Sequence, residues 1–237
     1  MKQLTEHVYG ILSMGGYLNA FVIEHDGVLT VVDTMMNAGF VKTLESGLNK
    51  IGKPMSAVEN IFITHAHPDH IGGLISLQAQ VNAKTFAHRL DAPIIRGEQD
   101  GAAVPPESLG IAGRFMNRMI TSNTAIPDPA RVDVMVNDRD VLDEILPGIQ
   151  VVHLPGHSYG HCGLWLPEEK TLIGGDVMMR FPWGYRCPLK FVSPDWVAVT
   201  ASIRKVAELG VENLLLGHGQ PHTGNASAMV QSLVAKL

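Results

Sequence analysis

The stretch Thr64-His65-Ala66-His67-Pro68-Asp69-His70 constrains this chain more than any other part of it. It packs three imidazoles and one carboxylate into the six residues from His65 to His70. Neutral imidazole and carboxylate are the ligands that borderline divalent metals such as zinc prefer. A regular helix would not gather them. Only residues three or four apart share a helix face, and His65 and His67 are two apart. The run before the motif, Val58-Glu59-Asn60-Ile61-Phe62-Ile63, is apolar and β-branched and reads as a buried strand. Pro68 keeps the residue before it out of helix. The motif therefore reads as a loop after a buried strand, folded so that four side chains converge. Four donors in one loop are hard to arrange around a single ion that must keep an open position, which points to a cradle for two.

Three more segments place a ligand-type residue at the end of an apolar run, next to glycine. They are Val151-Val152-His153-Leu154-Pro155-Gly156-His157, Thr171-Leu172-Ile173-Gly174-Gly175-Asp176 and Leu214-Leu215-Leu216-Gly217-His218-Gly219. In each, a buried strand ends and glycine lets the backbone turn tightly. Donors at strand ends sit on a rigid scaffold, which a fixed coordination geometry needs.

In this order the four motifs resemble those of the metallo-β-lactamase superfamily, in the glyoxalase II-like pattern with a bridging aspartate. The resemblance runs from the N-terminal strands to Gly219. It implies that His65, His67 and His157 bind one metal, that Asp69, His70 and His218 bind a second, and that Asp176 bridges both. It implies an α+β fold: a four-layer αββα sandwich with the metal site at one end between the two sheets, and residues 1–237 as a single domain. It also gives Asp33 the task of supporting the metal loop from behind. Two divalent ions are expected, with zinc the default for a histidine-rich site and iron or manganese as alternatives. The named subfamilies match poorly. The long basic C-terminal region of a true glyoxalase II has no counterpart after His218. The acid that a flavodiiron protein carries between its first two histidines is Ala66 here.

The remaining histidines carry weaker signals. His153 reads as packing, His161 as a support behind the site, and His222 as either pocket lining or a solvent-facing residue. His7, His25 and His88 carry none. Cys162 and Cys187 make no disulfide framework and read as free thiols. The net charge of −5 gives no support for a nucleic-acid surface. No apolar run is long enough to span a bilayer, and the N-terminal residues lack the apolar core of a signal peptide. A cytoplasmic enzyme acting on a small molecule, with no membrane or nucleic-acid partner, is the expectation.

Along the chain, Val8 to Met14, Asn19 to His25 and Val28 to Val32 read as strands, the last two joined by an Asp26-Gly27 turn. Gly39 to Ile51 reads as an amphipathic helix, and Ile71 to Leu74 as the opening of a short one. Further strands are expected at Ala83 to Ala87, Val141-Leu142, Ile149 to His153, Gly163 to Leu166, Thr171 to Ile173 and Asn213 to Leu216. A helix is expected to start at Pro194-Asp195, and another from Ala226 to Leu237. Residues 91–135 break the alternation. Leu109, Ala112, Phe115, Met116, Met119 and Ile120 recur at helical spacing there. One reading is a helix packed on the core; the other is a lid over the site or a homodimer contact.

The chemistry that suits the implied ligands is hydrolysis of an ester, thioester or lactone by a hydroxide held between two metals, with Asp69 orienting it. The alternatives are a mononuclear iron oxidoreductase of the persulfide dioxygenase type and β-lactamase-like amide hydrolysis. Tyr159, Arg180, Trp183, Tyr185 and Arg186 are candidates for substrate contact. For Tyr159 a packing role is an equal reading, and for the segment 180–190 so is an ordinary structured loop.

Overall fold

Hydrophobic alternation organises the chain into four layers. In the computed structural model, which describes residues 1–123, 125 and 127–237, thirteen strands and seven α-helices follow one another. The first sheet holds β1 (Lys2–Gln3), β2 (Val8–Ser13), β3 (Leu18–His25), β4 (Val28–Val32), β5 (Val58–Ile63), β6 (Lys84–His88) and β7 (Val134–Val136), paired in sequence order. It is antiparallel from β1 to β4 and parallel from β4 to β7. The second sheet has the order β13-β10-β9-β8, built from β8 (Gln150–His153), β9 (Cys162–Leu166), β10 (Thr171–Gly175) and β13 (Asn213–Leu216). A separate hairpin pairs β11 (Met179–Phe181) with β12 (Gly184–Arg186).

The two-residue period of a strand decides which core each side chain joins. On β5, Ile61 and Ile63 pack toward α1 (Gly39–Lys50) and α3 (Leu74–Gln78), whose Leu44, Leu48, Leu74 and Leu77 share that cluster. Phe62, between them, joins Phe21, Phe86, Val151, Leu164, Ile173 and Leu215 in the core between the sheets. On the far side Val152, Leu172 and Leu214 meet α6 (Trp196–Glu208) and α7 (Ala226–Val234) through Val199, Ile203, Val206 and Val230. Three cores separate four layers, α, β, β and α. The expected αββα sandwich is what the chain forms.

The differences from the expected elements are local. The metal-ligand motif is a loop only through His67; Pro68 then opens α2 (Pro68–Ile71), because proline at a first helical position gives up only an N–H that would be unpaired anyway. Val141 makes a single bridge to Gln150 rather than a strand. The edge strands β1 and β7 and the hairpin β11–β12 have too few residues to show a pattern. Asp195 caps α6 by accepting from the Ala198 amide at 2.9 Å. Within 91–135, α4 (Ala92–Ile95) and α5 (Ile111–Asn123) form, while Thr124 and Ile126 lie outside the described residues. None of residues 111–120 on α5 is fully buried, and Ile111 is 90% exposed. The spacing made a helix, but one that does not sink its apolar face into the core. Among the described residues, no helix is long and apolar enough to cross a membrane.

Candidate metal centre

The ends of β5, β8, β10 and β13 deliver the seven expected donors to one place. Among the described residues, three groups of donors have ligand atoms within 4.8 Å of one another: His65 with His67 and His157, Asp69 with His70 and His218, and His65 with His70 and Asp176. Asp176 lies between the first two groups. Its Oδ2 stands 3.4 Å from His157 Nε2 and 3.1 Å from His218 Nε2, and its Oδ1 stands 3.5 Å from His70 Nε2. Asp69 Oδ2 lies 3.3 Å from His218 Nε2. Donor atoms each about 2.1 Å from one tetrahedral ion stand about 3.4 Å apart, so these separations suit a shared cation.

Hydrogen bonds behind the rings decide which nitrogen faces inward. His70 Nδ1 donates to Asp33 Oδ2 at 2.7 Å, His218 Nδ1 to the Tyr17 carbonyl at 2.6 Å, and His157 Nδ1 to the Ser193 hydroxyl at 3.0 Å. The Ser193 hydroxyl proton is itself committed to the Leu189 carbonyl. His65 Nδ1 lies 3.0 Å from Thr64 Oγ1, whose proton goes to Asp33. With Nδ1 protonated, each Nε2 presents a lone pair to the centre. For His67 the inward atom is Nδ1, 3.0 Å from His157 Nε2.

A protein-only centre of this kind is poorly satisfied. His65 Nε2, His70 Nε2 and Asp176 Oδ1 are buried with no hydrogen-bond partner. A buried acceptor without a donor is costly. A divalent cation removes the conflict, so the donor set fits a metal. The electrostatics carry the same signature. Burial alone would suppress a charge on His218, yet Asp176 and Asp69 push its pKa up to about 10. His70 is likewise raised, against burial, by Asp176 and Asp33. Burial opposes ionisation of Asp176, but His218 and His70 hold its pKa well below the usual carboxylate range. Away from the carboxylates, burial first and His157 second bring His67 down to about 3.

Two glycines make room. A Cβ on Gly217 would collide with Asp176 Oδ1 and come within 2.6 Å of His70 Cε1. Gly175 adopts φ +50°, and a Cβ there would lie 2.8 Å from His161 Nε2 and 2.9 Å from Thr64. His161 is the expected support: its Nδ1 donates to the Leu154 carbonyl and its Nε2 accepts the Asp176 amide at 2.8 Å. Burial, with His157 nearby, lowers its pKa to about 3, which keeps this accepting tautomer neutral.

The candidate substrate residues are not gathered in the same way. Tyr159, two residues from His157, is 51% exposed. Trp183 is exposed at the tip of the β11–β12 hairpin and stacks on Phe181. Arg186 is exposed. The Arg180 guanidinium donates to the Gln220 and Pro221 carbonyls and braces the loop after His218. Tyr185 is turned inward, buried, with its hydroxyl 2.7 Å from His222 Nδ1. His153 packs as expected, stacked on His88 with ring centroids 4.1 Å apart. Sequence reasoning passed over Tyr17, whose half-exposed ring lies edge-on to His218, Ser193 and Asp91; single polar residues outside a motif leave no signal in one sequence.

Comparison with known proteins agrees with this fold. The family profile described as the metallo-beta-lactamase superfamily matches residues 14–218. The probable metallo-hydrolase YflN of Bacillus subtilis is 27% identical over 69% of this chain and 65% of its own length. The human acyl-coenzyme A thioesterase MBLAC2 is 25% identical over 81% of this chain and 66% of its own. The chain thus spans a little under two thirds of each of these relatives. Among solved structures, the metallo-beta-lactamase family protein TTHA1429 of Thermus thermophilus superposes with a TM-score of 0.74 at 21% identity, over 99% of this chain and 80% of that one. TTHA1623, solved in a di-iron-bound form, gives a TM-score of 0.68 at 24% identity, over 94% and 98% of the two chains.

Proposed function

This chain belongs to the metallo-beta-lactamase superfamily, and from that premise we propose that it is a dinuclear metal-dependent hydrolase of an ester, thioester or lactone. The observation that carries the reading is the placement of Asp176 between two complete donor triads. His65, His67 and His157 would hold one ion, Asp69, His70 and His218 the other, and Asp176 both. Zinc is the default for such donors, with iron or manganese as alternatives. When bound, the ions supply Lewis acidity and lower the pKa of water.

The residues of the chain set up the rest. Thr64, Asp33, Ser193 and the Tyr17 carbonyl fix the tautomers that leave lone pairs facing the centre. His161 accepts the Asp176 backbone amide and anchors the chain that carries its carboxylate. Asp69 is the most open of the carboxylates, with its side chain 33% exposed against 5% for Asp176. It would orient the attacking water or hydroxide toward an acyl carbon. No side chain is needed as a covalent nucleophile.

A thioester is a favoured member of the class because the named activity of MBLAC2 is thioester hydrolysis and because a thiolate departs without a strong proton donor. The complete second triad weighs against a mononuclear iron oxidoreductase. Two measurements test the proposal: metal analysis of protein expressed without added metal, and hydrolysis of a panel of acyl thioesters, lactones and esters. About two ions per chain and turnover on the panel are expected. One iron per chain with oxygen consumption on persulfide substrates would overturn it.

A further inference from the structure

We propose that Asp91 is a positioning residue that clamps together the two loops carrying His65, His67 and His157. The inference rests on the metal-centre reading above and concerns one of its two triads. Asp91 lies in the turn between β6 and α4 and is 1% exposed. Its Oδ2 accepts the Ala66 amide at 2.9 Å and the Ser158 hydroxyl at 2.6 Å. Its Oδ1 accepts the Gly160 amide at 2.7 Å. Ala66 stands between His65 and His67, and Ser158 follows His157. One carboxylate therefore joins the backbone of the β5–α2 loop to that of the β8–β9 loop, across the layer gap that separates the sheets. Gly160 is part of the design, because a Cβ there would come within 2.6 Å of the Asp91 amide and collide with its carboxylate. Asp91 also begins α4, its carbonyl accepting from the Ile94 and Ile95 amides, so the clamp is anchored in a helical turn. Its carboxylate bonds to Ala66, Ser158 and Gly160, and makes no hydrogen bond to Asp69, His70 or His218.

Three donors converge on two carboxylate oxygens, so the site requires an acceptor on both sides. In Asp91→Asn one of those oxygens becomes an NH₂. Turned toward Gly160 it opposes an amide N–H; turned the other way it opposes that of Ala66. Either orientation releases one loop. Partners of this kind behind a ligand shell change metal affinity by about 10–100-fold when removed.

The test separates the two triads. His218→Ala retains the His65, His67 and His157 triad, and His67→Ala retains the Asp69, His70 and His218 triad. Zn²⁺ affinity is measured for each full-length parent, with and without Asp91→Asn, by competition against a chromophoric chelator. Asp91→Asn should weaken binding about 10–100-fold in the His218→Ala parent and leave the His67→Ala parent unchanged. Equal loss in both parents, or no loss in the first, overturns the clamp. Should Asp91→Asn fail to fold, Ser158→Ala removes a single contact and should show the same one-sided effect at smaller size. Zn²⁺ bound by neither parent overturns the metal centre and the clamp together. Zn²⁺ bound by both, with no one-sided response, overturns the clamp alone.

Discussion

Asp33 and His70 are joined by a buried 2.7 Å hydrogen bond that sets the face His70 turns to the centre. The same carboxylate accepts the Thr64 amide and hydroxyl, so one aspartate at the end of β4 orders ligands of both triads. Its φ of 61° lies in the left-handed region, which asparagine tolerates. Asp33→Asn therefore isolates the loss of the acceptor. An amide NH₂ facing His70 forces its proton onto Nε2 and removes the inward lone pair. We expect metal affinity to fall by about 10–100-fold. Equilibrium dialysis checks this, and wild-type metal content in the variant would refute it.

Gly217→Ala adds a single methyl group where the structure has none to spare. The backbone conformation at Gly217 is open to any residue, so the effect is steric and local to Asp176 and His70. Displacing a reacting group by about 1 Å costs on the order of 100-fold in rate. We expect kcat/KM to drop by about that factor with the circular dichroism spectrum unchanged. A fully active alanine variant would mean that Asp176 does not need its observed position.

The legible and illegible parts of this molecule differ in a physical way. Donors at the ends of β5, β8, β10 and β13 could be found because each follows a buried apolar run, as Ile61, Phe62 and Ile63 lead to His65. Asp33 was legible behind the metal loop, but the other groups that hold the ligand rings and loops could not be found. Ser193 and Asp91 meet their partners across sequence separations of 36 and 67 residues, through hydrogen bonds that no local pattern encodes. The short edge strands escaped because two or three residues have no period. The helical spacing of residues 109–120 was real, yet the exposure of Ile111 and Phe115 depends on what lies beneath them.

Tyr185 and Tyr159 looked alike as candidate substrate contacts and are placed in opposite surroundings. The buried Tyr185 hydroxyl meets His222, which itself pairs with Leu214 across an isolated bridge. Tyr185→Phe should therefore lower stability by about 0.5–1.5 kcal/mol and leave KM and kcat as they were. Urea unfolding and steady-state kinetics on the same preparation give both readings. A raised KM with unchanged stability would return Tyr185 to the substrate surface.

His88 should make the fold sensitive to mild acid. Burial, then the neighbouring His153 and Arg89, lower its pKa from 6.5 to about 4. Between these values the unfolded chain binds a proton that the native chain refuses. Stability thus rises with pH across that window. The contribution of neutral His88 is complete above about pH 6.5, falls as the pH drops, and is gone below about 4, with a slope of at most about 1 kcal/mol per pH unit. His67, His70 and His218 are shifted as well, so the comparison must be between proteins that share them. His88→Phe keeps a flat ring over His153 and removes the ionisation. Unfolded by urea at pH 7 and at pH 5 in metal-free form, the variant should lose less stability between the two than wild type does. Equal losses would mean that His88 is protonated in the native chain as readily as in the unfolded one.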